Sequence, residues 1–424
     1  MIKIGNLEID KFYLGDTSDA KIYLGDVKVW PKEEEPSEKY PYAFKRVSRG
    51  GSAYTVDCNS TSSNTITSAD TKSGLGIYEA GDSTSNNTPL SVVFGDCCKT
   101  IDAGACSGWY YLSSVTISDN VTSLGEKSFQ NTYRVEHLDI GSGITQLNNS
   151  YTFYETGHSA STKPDLDLSA NVGLNVGNYA FEYCYFNNVI FPKNCTLNRN
   201  SFMYCSASTL SFGSGTIISE YGVYSSPFYG SKISNIDLNG VTEIRDSAFA
   251  STSGFTSIII PPSVTSFGKN AFTRVSTLNS VTIDYASNAI LGSYQFSGSS
   301  ITSLTIGSNP TSIGSHMFRD CTGLTSFVIP SNISSIGSSA FYNCSGLTSL
   351  VIPSNISSIG DSAFSGCTRL TSITVHSTTP PTLGYGVFDS TNNCPIYVPP
   401  ESVDAYKAAS GWSNYASRIQ AIPT

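Results

Sequence analysis

Leu347-Thr-Ser-Leu350-Val-Ile352-Pro353-Ser-Asn-Ile356-Ser-Ser-Ile359-Gly360-Asp361-Ser-Ala363-Phe364 is one unit of a pattern that runs through most of this 424-residue chain. Phenylalanine marks the period. Phe318, Phe341 and Phe364 stand 23 apart, as do Phe249 and Phe272, and Phe129, Phe153, Phe181, Phe202, Phe228, Phe296 and Phe388 extend the series at spacings of 21–28. Self-similarity at 20–29 residues is the mark of a leucine-rich solenoid. Leu350 and Ile352 alternate with polar or variable neighbours, so they point inward from a short strand. Pro353 lacks an N–H and stops that strand. Ile356 and Ile359 point back inside from the return path, Gly360 permits a tight bend, and Asp361-Ser362 caps a short helical turn carrying Ala363 and Phe364.

No single unit buries these residues alone. Stacked copies share one core, their strands pairing about 4.8 Å apart in a parallel sheet. The expected fold is a β-rich leucine-rich-repeat solenoid, with a parallel sheet on one face, short helical turns or irregular chain on the other, and a small N-terminal β-module. Twelve phenylalanine copies and a degenerate one near Val92–Cys106 make about 13 repeats over 92–394, a stack of roughly 60 Å.

Composition narrows the function. The 33 Asp+Glu exceed the 24 Lys+Arg, and only 13% of residues are charged, while Ser and Thr number 110. A surface wetted by hydroxyls and short of cations is a poor partner for nucleic acid, whose affinity rests on neutralising phosphates. No run of 18 apolar residues offers membrane insertion. Eleven cysteines are an odd count, and their spacing explains them otherwise. Cys184, Cys205, Cys321, Cys344 and Cys367 each follow a repeat phenylalanine by three, where other copies hold Thr132, Thr156, Thr252, Val275 or Ser299. Such a position wants a small buried side chain, and a metal or redox site would not exchange its ligand for valine. The four histidines, His137, His158, His316 and His376, fit no metal motif, and no nucleophile elbow, P-loop or dinucleotide fingerprint is present. Asp165 and Asp167 lie two apart on one strand, where exposed polarity explains them better than glycosidase chemistry. No catalytic residue, metal or cofactor is expected.

The flanks differ from the repeats. Phe12-Tyr13-Leu14-Gly15-Asp16 returns as Ile22-Tyr23-Leu24-Gly25-Asp26, which reads as two small hairpin arms over 1–30. Residues 31–41 form a proline- and acid-rich linker, and 42–91, with strand-like Ala53–Val56, a cap on the first coil. At the other end Val403, Tyr406, Trp412, Tyr415 and Ile419 fall at spacings suited to a helical apolar face, so 395–424 forms a helical cap over the last coil.

The string LTSxxIPSNISSIGxSAFxxC resembles the BspA-like leucine-rich repeats of bacterial surface proteins, over about Val92 to Pro395, and the ending from Ile396 to Tyr415 resembles the usual terminus of such arrays. The opening resembles N-terminal segments of tail or fibre proteins from phages of gut bacteria. That resemblance implies a virion-attached adhesion or receptor-binding protein. Its first 30 residues would dock on a virion structural protein, with Phe12, Tyr13, Ile22, Tyr23 and Trp30 making the contact, and its solenoid would touch a bacterial surface glycan or protein. The opening also shows no secretory signal pattern, which accords with a particle component, extracellular after lysis. A purely structural tail or decoration protein and a bacterial BspA-like surface adhesin are the alternatives. No heptad or triple-strand signature decides for or against a homo-oligomer.

The receptor site is expected where the repeats stop being copies. The residue between the two inward apolar positions faces the sheet's open side, and this column carries Asp139, Asp167 and Asp237 early but Thr282, Thr305, Val328 and Val351 later. Ten tyrosines fall between Tyr133 and Tyr229, among them Tyr154, Tyr183, Tyr185, Tyr204, Tyr224 and Tyr229. Tyrosine offers large contact area at small entropic cost. The competing reading has these rings filling a widened core where the repeats lengthen.

Overall fold

Leu350, Ile352, Ile356 and Ile359 of the best-formed unit are all buried, and Phe364 is wholly so, while Val351 between the strand pair stands 49% exposed. Repetition of this pattern makes a parallel β-solenoid of about 14 turns with little helix. The computed structural model describes residues 90–423 apart from 97 and 219–224, and, before residue 90, the backbone of seven short strands. Two compact units are present: residues 1–172 with 179–187, and residues 173–178 with 188–424.

In the first unit, Ile2–Ile4 pairs antiparallel with Leu7–Ile9, and Ile22–Leu24 with Val27–Val29. Of the expected docking residues, Ile22 and Tyr23 lie in the strand Ile22–Leu24, and Phe12, Tyr13 and Trp30 fall outside the described residues. Tyr42–Arg46 pairs antiparallel with Ala53–Cys58, which leads in parallel into Leu90–Phe94. The parallel ladder continues through Leu112–Ile117, His137–Ile140 and Leu166–Asp167, with Val92, Val115, Leu138 and Leu166 in register. In the second unit the same geometry returns. Ser349–Ile352 pairs with Ser372–Val375, and that strand in turn with Ile396–Val398, while the short return strand Ser335–Ile336 lies between Ser312–Ile313 and Ser358–Ile359.

The repeat phenylalanines form the spine of each unit. Phe129, Phe153 and Phe181 stack face to face with centroids 5.2 and 5.1 Å apart. In the second unit Phe228, Phe249, Phe272, Phe296, Phe318, Phe341 and Phe364 stack at 4.9–5.5 Å. Each ring is the next ring's wall, which is why no unit is stable alone.

The helical turn expected around Ala363 and Phe364 is absent. Ser362, two residues before the phenylalanine, has φ 53°, and Gly366, two after it, has φ 79°. The same pair recurs at Ser339 and Asn343 around Phe341, and at Asn270 and Arg274 around Phe272. A left-handed residue on each side reverses the chain, and an α-helix needs an unbroken right-handed run. Gly360 has a different task from the bend first read into it: a Cβ there would stand 2.5 Å from the Ser338 nitrogen of the preceding turn. It is a close approach between turns.

The cysteine column has a reason beyond size. Cys344 Sγ donates to the Phe318 carbonyl (3.1 Å), Ser299 Oγ to Phe272 (2.9 Å), Thr252 Oγ1 to Phe228 (3.0 Å) and Ser231 Oγ to Phe202 (2.7 Å). Each small side chain thus satisfies a buried carbonyl one turn back, and Cys, Ser and Thr exchange because all three can donate. Burial pushes the Cys321 and Cys367 thiols up to about 12, away from reactivity. One strand of the second unit is missing its pairing. Phe327 stands where Leu304 and Leu350 do in the neighbouring turns but is only half-buried, stacks on Phe341 at 4.4 Å, and no strand forms around it.

The C-terminal cap is only partly helical. Val403–Ala408 is a single short helix, Trp412–Arg418 is 3-10, and Ile419 belongs to a strand, Ile419–Ala421, that pairs with Ile396–Val398. Gly411, with φ 78°, breaks the helical path. Tyr406 and Trp412 are buried, and their polar ends donate to the carbonyls of Ser377 and Pro381, each at 2.8 Å. Apolar rings cover the last coil while its exposed carbonyls find partners.

Candidate functional site

Tyrosines enter the first unit through its turns. Tyr151 and Tyr179 occupy the place two residues before a repeat phenylalanine, and Tyr183 the place two after, with φ of 60°, 57° and 56°. Elsewhere these left-handed places hold Asn200, Asn270, Asn343, Gly298 or Gly366, residues that adopt φ > 0 at least cost, and in single turns also Tyr204, Arg274, Tyr294 and His316. Tyrosine there works against its own backbone preference by roughly 1 kcal/mol. The side chains project outward, away from the phenylalanine spine, and remain half-buried. They do not fill a widened core.

Two aromatic runs result. Tyr179 stacks on Tyr151 at 5.1 Å; Tyr151 meets Tyr154 edge-on at 5.5 Å, and Tyr154 meets Tyr183 at 5.7 Å. The second run goes from Tyr111 through Tyr110, Tyr133 and His158 to Tyr185, with centroids 5.2, 5.7, 6.3 and 4.7 Å apart. Cations lie against these rings: Arg134 at 4.9 and 5.0 Å from Tyr110 and Tyr111, Lys163 at 5.2 Å from Tyr185, and Lys127 at 5.9 Å from Tyr151. Lys163 is fixed further by donating to the carbonyls of Gly157, His158 and Ala160, and burial lowers its pKa. Beside Arg134 opens a shallow depression of about 300 Å³ lined by Tyr111, Ser113, Glu136, Ser159 and Ser161.

Between the runs sits a carboxylate pair. The Tyr133 hydroxyl donates to Glu155. Glu182, on the next turn, is only 8% exposed, and no hydrogen bond or ion pair reaches its carboxylate among the described residues. Burial, then the neighbouring Glu155, raises Glu182 to about 7. Burial and the same two acids push Tyr154 up to about 12.

The expected site residues divide between the units. Tyr154, Tyr183 and Tyr185 come together in the first unit on this ridge. Asp139 and Asp167 are exposed in strands of the same unit, and no hydrogen bond or ionic contact ties them to the rings. Asp167 accepts from Ser169 N–H at 2.9 Å, and Asp165 from the Asn187 side chain of the following turn at 3.0 Å. Tyr204, Tyr229 and Asp237 belong to the second unit. There Tyr204 meets Tyr229 at 6.0 Å, Gly230 leaves room for the Tyr204 ring, and Asp237 accepts from Asn239 N–H at 3.0 Å. Tyr224 lies outside the described residues. The reading of the sequence passed over Tyr110, Tyr111, Arg134, Glu155 and Glu182, and set His158 aside as merely packed or solvated. The available signal was positional: all fall one to five residues from the repeat phenylalanine or its equivalent. Among the described residues no group of three or more His, Cys, Asp or Glu is arranged to hold a metal ion, and no helix is long and apolar enough to cross a membrane.

Turns built on a phenylalanine spine, a parallel sheet and an aromatic ridge without a metal cluster define a leucine-rich-repeat solenoid. The BspA type leucine rich repeat region matches residues 81–165, 174–291 and 289–408 in 6 copies, more than half of the chain, which therefore belongs to that family. No curated protein matches the sequence. Among solved structures the chain is similar to a leucine-rich repeat protein from Bacteroides ovatus, at 20% identity over 92% of this chain and 100% of that one, with a TM-score of 0.49. It is similar also to a leucine rich cell surface protein from Faecalibacterium prausnitzii (19% identity, 81% and 95% covered, TM-score 0.30) and to the pneumococcal vaccine antigen PcpA (16%, 91% and 96%, TM-score 0.33).

Proposed function

We propose that this protein is an adhesion protein that binds a partner on a bacterial surface, glycan or protein, through the tyrosine ridge of its first unit, without catalysis. The observation that carries this reading is the placement of Tyr151, Tyr179 and Tyr183 at φ > 0. Local backbone cost accepted at half-buried, contact-rich positions is characteristic of function rather than of folding. Tyrosine flanked by fixed cations and acids suits repeated weak contacts, which many copies on one surface multiply. The carrier is a phage particle, with residues 1–30 seated on a virion structural protein; this rests on the sequence resemblance of the opening. The family favours a second carrier, a bacterial cell displaying the chain as a BspA-like adhesin.

Fluorescently labelled full-length protein, titrated against a panel of gut-bacterial isolates by flow cytometry, tests the adhesive reading. Saturable binding to some strains is expected, falling at least tenfold in the Tyr154→Ser/Tyr183→Ser/Tyr185→Ser variant with an unchanged melting curve. Absence of saturable binding, or binding indifferent to the triple substitution, overturns it. Antibody labelling of purified particles and of producing cells decides between the two carriers.

A further inference from the structure

Three consecutive turns of the first unit carry side chains where later turns close up. A buried apolar residue whose N–H bonds to the carbonyl three residues back marks the entry to each inward strand. Leu112, Val135 and Ala160 mark it early in the chain, and Leu324, Leu347 and Leu370 late. In the late turns the residue before the marker is Gly323, Gly346 or Arg369, and the residue after it Thr325, Thr348 or Thr371. A Cβ at Gly346 would strike the Thr322 carbonyl of the preceding turn. Thr348 and Thr371 each give both N–H and hydroxyl to the threonine carbonyl one turn back. That corner is closed. In the early turns the same two columns read Tyr111, Arg134, Ser159 and Ser113, Glu136, Ser161. Glu136 N–H still bonds to the Ser113 carbonyl at 2.7 Å, but Ser161 N–H goes to the Glu136 carboxylate at 3.1 Å. The backbone ladder parts at that step, and these six residues, with Ala160, line the depression of about 300 Å³.

Its charged groups are held in place. The half-buried Arg134 guanidinium lies against the rings of Tyr110 and Tyr111 at 4.9 and 5.0 Å, and Ser161 N–H tethers Glu136. A donor-only fork thus stands two residues from an acceptor-only carboxylate, beside serine hydroxyls and a tyrosine that is 37% exposed. A sugar's vicinal hydroxyls donate and accept at once, so one pyranose ring engages both charges while its C–H face meets an aromatic wall. The volume is at the small end of ligand sites, enough for a sugar ring but far short of a protein footprint. Arg134 and Glu136 cancel in charge, and residues 126–187 hold seven carboxylates against three Lys or Arg, a field that disfavours acidic sugars.

We infer that this depression binds a neutral pyranose residue of a glycan, Arg134 donating to and Glu136 accepting from adjacent hydroxyls, with Tyr111 as the apolar wall. The inference rests on the adhesive reading above and names the chemistry of its partner.

Labelled full-length protein on an array of glucose-, galactose-, mannose- and rhamnose-terminated glycans, with glucuronate- and sialate-terminated ones beside them, provides the test. At least one neutral glycan should bind, and no acidic one more tightly. Arg134→Ala should weaken that binding at least tenfold and Glu136→Gln at least threefold. Arg369→Ala, which removes the cation at the equivalent place in a late turn, should change it less than twofold. Glu136→Gln keeps the side-chain shape and should melt as the parent does, so it carries the test alone if Arg134→Ala fails to fold. Absence of neutral-glycan binding, preference for acidic glycans, or binding that survives Glu136→Gln overturns the inference. On bacterial cells, periodate, which cleaves vicinal diols, should abolish labelling, and proteinase K should spare it. The reverse overturns the inference in favour of a protein partner while the adhesive function stands. Array binding without labelling of any cell defeats the adhesive function and leaves the sugar site standing.

Discussion

The turns from Phe318 to Phe388 and the turns from Phe129 to Phe181 share one coil and differ in what they place at its left-handed corners. The later turns keep Ser339, Asn343, Ser362 and Gly366 there, with His316 and Asp320 beside Phe318, and among the described residues no tyrosine stands at their left-handed corners. The earlier turns put Tyr151, Glu155, Tyr179 and Tyr183 in the same places, and an aromatic ridge grows from them. The spine does not distinguish the regions in kind, for its rings stack at 5.1–5.2 Å in one and 5.3–6.1 Å in the other. Stability is therefore carried by elements the two regions share, and surface chemistry by the corners where they part.

The largest effect should be the one that treats both regions alike. Phe153→Ala and Phe341→Ala each remove a fully buried ring stacked on both sides, and each should cost about 3–5 kcal/mol in denaturant unfolding. A cost below about 1 kcal/mol at Phe153 alone would mean that the earlier turns are held together by their tyrosines.

A smaller effect should separate the regions by pH. Glu182 titrates near 7 when folded against a reference of 4.5, so the folded state holds the proton more tightly. Its contribution is fully present below about pH 4.5 and is lost as pH rises through 7. Glu182→Gln, which keeps the neutral shape, should therefore match the parent at pH 4.5 and exceed it at pH 8 by about 1 kcal/mol, after allowance for partial screening. Equal stability of the two at pH 8 would show that the carboxylate is satisfied in solution. The smallest change tests the corner itself. Asn343→Tyr imports the early-region residue into a late turn and should cost about 1 kcal/mol or less, with no gain in cell binding.

Much of this architecture was legible in the sequence because its causes are periodic. The phenylalanine spacing located the spine, the Leu350/Ile352 alternation located the inward strand, and the Cys–Thr–Ser exchange at one column announced a buried small side chain. Its second requirement, a donor for the carbonyl one turn back, was hidden because Val275 occupies the same column. The turn around Phe364 was read as helical since Asp361-Ser362 has capping chemistry; left-handed corners at Ser362 and Gly366 depend on packing against neighbouring turns, which local propensity does not encode. Ile419 fits a helical spacing from Trp412 and Tyr415, yet Gly411 and the open sheet edge beside Ile396 direct it into a strand. The candidate site was legible only as an excess of tyrosine. Glu182, between Phe181 and Tyr183, reads as an ordinary exposed acid, and only the stacking of turns brings Tyr151, Tyr154 and Glu155, 27 or more residues earlier, within reach of its charge.

The central claim is that the early tyrosines serve contact and not folding. The most direct measurement is the unfolding free energy of the Tyr151→Asn/Tyr179→Asn/Tyr183→Asn variant, which gives each corner the residue that adopts φ > 0 most readily. Relief of backbone cost should nearly offset the lost ring stacking, leaving stability within about 1 kcal/mol of the parent. A loss of about 3 kcal/mol or more would make the ridge part of the fold and contradict the account.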